Sequence, residues 1–252
     1  MGKYFDDIHA GWNSQLTGAP CEIADTAEIS ALRNAAADYD SLMALGDALT
    51  RQLRYREAAG AYTGALGHRP GDYPAIRNRA GRYLSTLQTE FAMRDLHYCL
   101  EHDGDEVDIT YRLGLCRYFE RLYAEAAQWF ERCYPLCDDE MGVSVIYWHT
   151  ICCYRMNTPP KLLGKYHIGM EVGHHTAYEK AVRVFAGAAP VKDIFDGLEH
   201  EEDMEYVITM YGLCRYLLNT GHIEMYERYM NLLIERDGFW PCFAYLAARN
   251  DM

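Results

Sequence analysis

Residues 42–70 read "LMALGDALTRQLRYREAAGAYTGALGHRP", and the spacing of their small side chains decides the fold. Gly46 and Ala58 are followed by Tyr62, Ala65 and Pro70. A step of 34 positions gives Ala80, Ala92, Leu96 and Cys99, and a second step gives Gly114, Ala126, Phe130 and Cys133. A third step lands on Trp148 in "SVIYWHTICCYR". Three pairs of small residues at one fixed period mark an internal repeat. Leu42, Leu45, Ile76, Tyr83 and Leu113 recur at spacings of three or four, which is helical. Two helices that cross closely need small side chains where they touch. Each unit is therefore predicted to be a pair of short antiparallel helices, with Tyr62, Leu96 and Phe130 filling the space beside the crossing.

Leu45-Gly46, Ala58, Tyr62, Ala65 and Pro70 on a 34-residue helix–turn–helix resemble the tetratricopeptide repeat (TPR). The third unit fits well, with Asp138 where proline is usual; the middle unit, Tyr73–Glu106, is looser, with Arg79 before its small residue and Gly104 in place of proline. The resemblance is strongest over residues 39–140 and implies an all-α fold. It implies a right-handed α-α superhelix, a TPR-like solenoid, of about six helix pairs with N- and C-terminal capping helices. Residues 1–38 then form an N-terminal extension and capping helix, and residues 39–140 three TPR-like repeats. Residues 141–252 form divergent helical repeats and a C-terminal cap, continuous with the solenoid.

The flanks supply further expectations. Asp25 and Glu28 have capping-box spacing ahead of a first helix, and Pro241 suits the start of a last one. Pro159 and Pro160 fit only the first turn of a helix, so a short helix is expected to begin there. "TAYEKAVRVFAGA" and "PVKDIFDGLEH" read as two more helices. "GLCRY" occurs at 114–118 and again at 212–216, and is expected to mark the same place in two first helices with a trimmed unit between them. Tyr4, Phe5 and Trp12 are candidates for docking the N-terminal segment onto the body.

Composition narrows the partners. The chain has 252 residues, is 50% apolar and carries a formal charge of −13, with 24 basic residues against 37 acidic ones. Phosphate backbones require clustered Lys and Arg, so nucleic acid is not the expected partner. No apolar run approaches the roughly 20 residues of a spanning helix, so no membrane is expected either. "MGKYFDDIHAGWNSQL" has acids where a signal peptide carries its apolar core, and Asp6 stands where a myristoylation motif needs Ser or Thr. Nine cysteines show no disulfide framework, which suits a reducing, cytoplasmic setting.

In the family that this sequence resembles, the first helix of each unit lines the inside of the superhelix and meets a ligand. Position by position, the resemblance implies ligand contacts at Met43, Asp47, Arg77, Leu84, Tyr111, Leu115, Tyr118, His149, Cys152, Tyr206, Thr209 and Tyr216. Tyr111, Tyr118 and Tyr216 have a second reading as packing residues between units. One subfamily grips a terminal carboxylate with Lys, Asn, Asn, Lys and Arg; here Met43, Asp47, Asn78, Asp108 and Arg112 stand at those places, and the acids repel a carboxylate. The acidic runs "HDGDEVD", "CDDEMG" and "EHEEDME" precede helix starts, where carboxylates are favourable; attraction of a basic partner is their second reading, and for Glu199–Glu205 the two readings stand side by side.

His149 with Cys152 or Cys153 makes half a metal site, with no second pair at ligand spacing. Gly-x-Ser-x-Gly, phosphate-loop and HExxH motifs are missing. The expectation is a non-catalytic interaction module, an adaptor or chaperone-like protein, that holds a partner's peptide in its concave groove without metal or cofactor. The alternatives are a scaffold that self-associates, as a homodimer through its aromatic C-terminal part, and a thiol or metal enzyme built on His149 and Cys152/Cys153.

Overall fold

The computed structural model describes residues 12–19, 21, 23–102, 104–198 and 200–252. Among these residues every regular element is a helix, fourteen α-helices and two 3-10 turns. None is long and apolar enough to cross a membrane. The chain divides into two compact units between Asp105 and Glu106, within the 39–140 block and after its second helix pair. Tyr4 and Phe5 lie outside the described residues.

The first unit holds α1 (Trp12–Thr17), α2 (Ala27–Ala35), α3 (Tyr39–Arg51), α4 (Tyr55–His68), α5 (Tyr73–Ser85) and α6 (Thr89–Glu101). Successive helices from α2 onward pack on one another. Asp38 and Ser41 close a capping box at the start of α3, and Asp72 caps α5, which carries Pro74 in its first turn. The α2 cap differs from expectation. Thr26, not Asp25, accepts the Ile29 amide at 3.2 Å. Asp25 is drawn instead to the guanidiniums of Arg33 at 2.8 Å and Arg54 at 2.6 Å, because the buried Arg54 needs a counter-charge there. The segment at α1 docks through Arg56, whose Nη2 donates to the Leu16 carbonyl at 3.0 Å.

Gly46 sits under the ring of Tyr62, where a Cβ would fall closer than 3.0 Å to three ring atoms. Ala58, Ala80 and Ala92 are fully buried. Leu53 and Leu87 close the two hairpins in the left-handed region, each at φ 55°. At both turns the third amide past the helix bonds back to the last full turn, Arg54 to Leu49 at 3.0 Å and Gln88 to Tyr83 at 2.8 Å. These are the paired bonds of a Schellman cap.

The second unit opens with α7 (Glu106–Phe119) and α8 (Tyr123–Cys133), then a 3-10 turn (Tyr134–Leu136). Gly114 lies under Phe130 as Gly46 lies under Tyr62. The turn repeats too, with Arg121 at φ 62° and a bond of 2.9 Å from the Leu122 amide to the Arg117 carbonyl. There follow α9 (Asp139–Met156), a second 3-10 turn (Lys161–Lys165), α10 (Thr176–Phe185), α11 (Val191–Leu198), α12 (Asp203–Asn219), α13 (Ile223–Ile234) and α14 (Phe243–Asp251). Asp138 caps α9 through the Met141 amide at 2.9 Å.

Two expectations hold only in part in this unit. No α-helix begins at Pro159–Pro160: Asn157 ends α9 in the left-handed region, and the short helix expected there is a five-residue 3-10 turn with Pro160 as its cap, packed back on α9. Two adjacent prolines remove two donors and force extended backbone before them, so α10 takes the place against α9 instead. The two "GLCRY" strings both lie in the first helix of a helix pair, α7 and α12, but their glycines make different contacts. Gly114 faces Phe130 of its own hairpin, whereas a Cβ on Gly212 would meet Tyr147 and Ala181, from α9 and α10. The turn explains the shift: its left-handed residue is Arg121 after Gly114 but Gly221 after Gly212, two positions further on.

Candidate binding surface

The predicted ligand stripe separates sharply by burial. In the first unit Asp47 is exposed and Met43 and Arg77 are half-buried. Met43 packs against the core around Ile29 and Leu45. Asp47 accepts the Tyr62 hydroxyl at 2.7 Å, so its carboxylate is already oriented. Leu84 is completely buried. In the second unit Tyr111 and Tyr216 are half-buried. Leu115, His149, Cys152 and Thr209 are 0% exposed, Tyr118 2% and Tyr206 6%. Those six, with Leu84, are core residues here and offer no surface to a ligand, which corrects their assignment.

For the six in the second unit, the physical reason is that this unit fills the face that a repeat would leave open. Helix α9 is buried from Gly142 to Cys153 and α12 from Tyr206 to Arg215, so neither keeps a free side. The Tyr118 and Tyr211 hydroxyls meet each other, and Trp148 packs against Tyr118 at 5.0 Å between ring centres. Tyr147 donates to the Ile208 carbonyl at 2.7 Å, and Thr209 to that of Ala177 at 3.0 Å. Helix α14 then closes over α12, α13 and α7. Asp251 at its end accepts from Tyr211 at 3.0 Å and pairs with Arg155 and with Arg215. Burial raises the Tyr111 phenol to about 12 and lifts that of Tyr118 well above its ordinary range, so both stay neutral.

The thiol and imidazole groups form a cluster of a different kind from a catalytic one. His149 Nε2 lies 3.3 Å from Glu131. Cys153 Sγ is 3.8 Å from Nε2 and 3.9 Å from Nδ1 of the same ring. A sulfur that is equidistant from both nitrogens is in line with neither, so the ring is not placed to take its proton. Burial lowers the His149 pKa, with Glu131 opposing, and burial raises the Cys152 and Cys153 thiols. Those directions favour the neutral pair over thiolate and imidazolium. Cys133 and Cys137 approach to 3.6 Å between sulfurs, and the contact with Cys133, followed by burial, pushes the Cys137 thiol up. Among the described residues no three His, Cys, Asp or Glu side chains converge to hold a metal.

Two features were not read from the sequence. Arg79, the residue that breaks the repeat pattern, forms a two-point ion pair with buried Asp95. The clasp of Arg155 and Arg215 on Asp251 ties α9, α12 and α14 together. The available signal was an arginine inside an otherwise apolar helical run, as in "ICCYR" and "YGLCRYLL". A comparison with models of known protein families finds none that matches the chain.

Proposed function

We propose that this protein is a non-catalytic, TPR-like interaction module that holds an extended peptide of a partner against the first helices of its hairpins. The hairpins belong to a right-handed superhelix of about six helix pairs. The observation that carries this proposal is the same contact recurring at the repeat register: Gly46 under Tyr62, and Gly114 under Phe130. Repeats of this kind stack into extended surfaces rather than enclosing a reactive site. With the inner face of the second unit filled, the contacting residues are Asp47 and Arg77 in the first unit, flanked by the exposed Asp40. Two acids and an overall charge of −13 select basic and apolar peptides.

The test is an array of immobilised peptides of graded Lys and Leu content, probed with the purified full chain. Binding that rises with Lys content and is lost in Asp40→Lys/Asp47→Lys supports the module. Absence of peptide capture, or capture indifferent to the charge reversal, refutes it. Tyr118→Ala is unsuitable as a binding probe, because Tyr118 is a core residue.

A second reading, self-association into a scaffold, draws on α13, which exposes Ile223, Met225 and Leu232. Exposed apolar side chains on one helix mark an interaction surface. Sedimentation at rising concentration separates the two, since a strict monomer removes the scaffold.

A further inference from the structure

The arginines that clasp Asp251 also line a cavity. It has a volume of about 330 Å³ and is bounded by Tyr154, Arg155, Asn157, Arg215, Leu218 and Asn219, at the C-terminal ends of α9 and α12. Asn157 and Asn219 are exposed, so the cavity opens to solvent between two amides. Arg215 is 4% exposed. The Nε atoms of both arginines are buried and have no acceptor among the described residues. Asp251 does not supply one: its oxygens accept from Arg155 Nη2, Arg215 Nη1 and the Tyr211 hydroxyl. Two guanidiniums face one carboxylate, +2 against −1, which leaves one positive charge in a protein of net −13.

Helix C-termini carry partial negative charge that opposes an anion. Here that charge is largely met locally. The Cys153 and Tyr154 carbonyls accept from Thr158 and Asn157, and those of Tyr216, Leu217 and Leu218 accept from Thr220, His222 and Gly221. What remains at the cavity is its polar lining: the guanidinium side chains, with Arg155 18% and Arg215 5% accessible, and the amides of Asn157 and Asn219 at its mouth. Guanidinium groups recognise planar or tetrahedral oxyanions through paired N–H bonds. Leu218 and the Tyr154 ring give an organic body something to pack on.

We propose that this cavity binds a small oxyanionic ligand, a phosphate or a carboxylate on a body of a few carbons, between Arg155 and Arg215. The site is independent of the peptide surface proposed for the first unit. It is tested by titration calorimetry of the full chain with inorganic phosphate and, separately, with succinate, at constant ionic strength in chloride. A saturable one-to-one heat is expected from at least one of them; phosphate alone identifies a phosphate ligand and succinate alone a carboxylate. Asn219→Asp places a carboxylate at the mouth and is expected to weaken binding about tenfold, while Asn219→Lys tightens it. Asn219 is exposed at a helix end, so both variants keep the fold. Lack of saturable heat with either anion, or equal affinities in wild type and both variants, overturns the site.

Discussion

Arg79 and Asp95 bind each other inside the second hairpin of the first unit, Nε to Oδ2 at 2.7 Å and Nη2 to Oδ1 at 2.8 Å. The corresponding positions in the other two repeats are Leu45 and Ala61, and Leu113 and Trp129. The middle repeat has thus exchanged an apolar contact for a buried ionic one. Removing one partner strands the other charge.

Asp95→Ala alone is therefore expected to destabilise the protein by about 3 kcal/mol. The double variant Arg79→Leu/Asp95→Ala, which restores the pattern of the first hairpin, is expected to recover most of that loss. Urea denaturation measures both. A double variant as unstable as the single one refutes the exchange.

The small residue of each unit is matched to the side chain in the filling position. Glycine accompanies Tyr62 and Phe130, whereas Ala80 accompanies the smaller Leu96. Gly114→Ala puts a methyl group into the Phe130 ring and is expected to cost about 1–3 kcal/mol. Phe130→Leu in the same chain recreates the middle unit and is expected to relieve the clash. Thermal melting of the two variants tests this; a Gly114→Ala protein that melts like wild type removes the tight crossing.

His149 gives a pH dependence whose sign is fixed. Burial lowers its folded pKa below the unfolded value of about 6.5. Its contribution is then complete above that value and declines as pH falls, because the unfolded chain takes up the proton first. The stability difference between wild type and His149→Gln should shrink from pH 8 to pH 5. A difference that widens toward acid would mean that an ion pair with Glu131 dominates.

Asp251→Ala removes the carboxylate shared by Arg155, Arg215 and Tyr211. The expected loss is about 3 kcal/mol, since two guanidiniums then face each other without a counter-charge. Limited proteolysis should cut near α14 first in this variant. Wild-type resistance there would show that apolar packing alone holds the last helix.

The hairpins of residues 39–133 were legible because steric rules fix them: a small side chain at a crossing leaves a periodic mark that sequence cannot hide. The burial of the second unit was not legible, and its reasons are local. Asn157, Pro159 and Pro160 end one helix and delay the next, so the 34-residue register is lost. Tyr118, His149, Cys152 and Thr209 keep the composition of a binding face while serving as core, because Tyr, Cys and Thr bury well once their polar atoms are paired. Only the arginines within apolar runs signalled that the helices around them close on a carboxylate.

Leu53, Leu87 and Arg121 each occupy a backbone region that a side chain makes unfavourable by roughly 1–2 kcal/mol. None of these bends is self-supporting; each persists because the helices on either side are already clamped. A hairpin cut out of the array should therefore open from its bend, and glycine at these positions should be the simplest way to make the excised piece hold together.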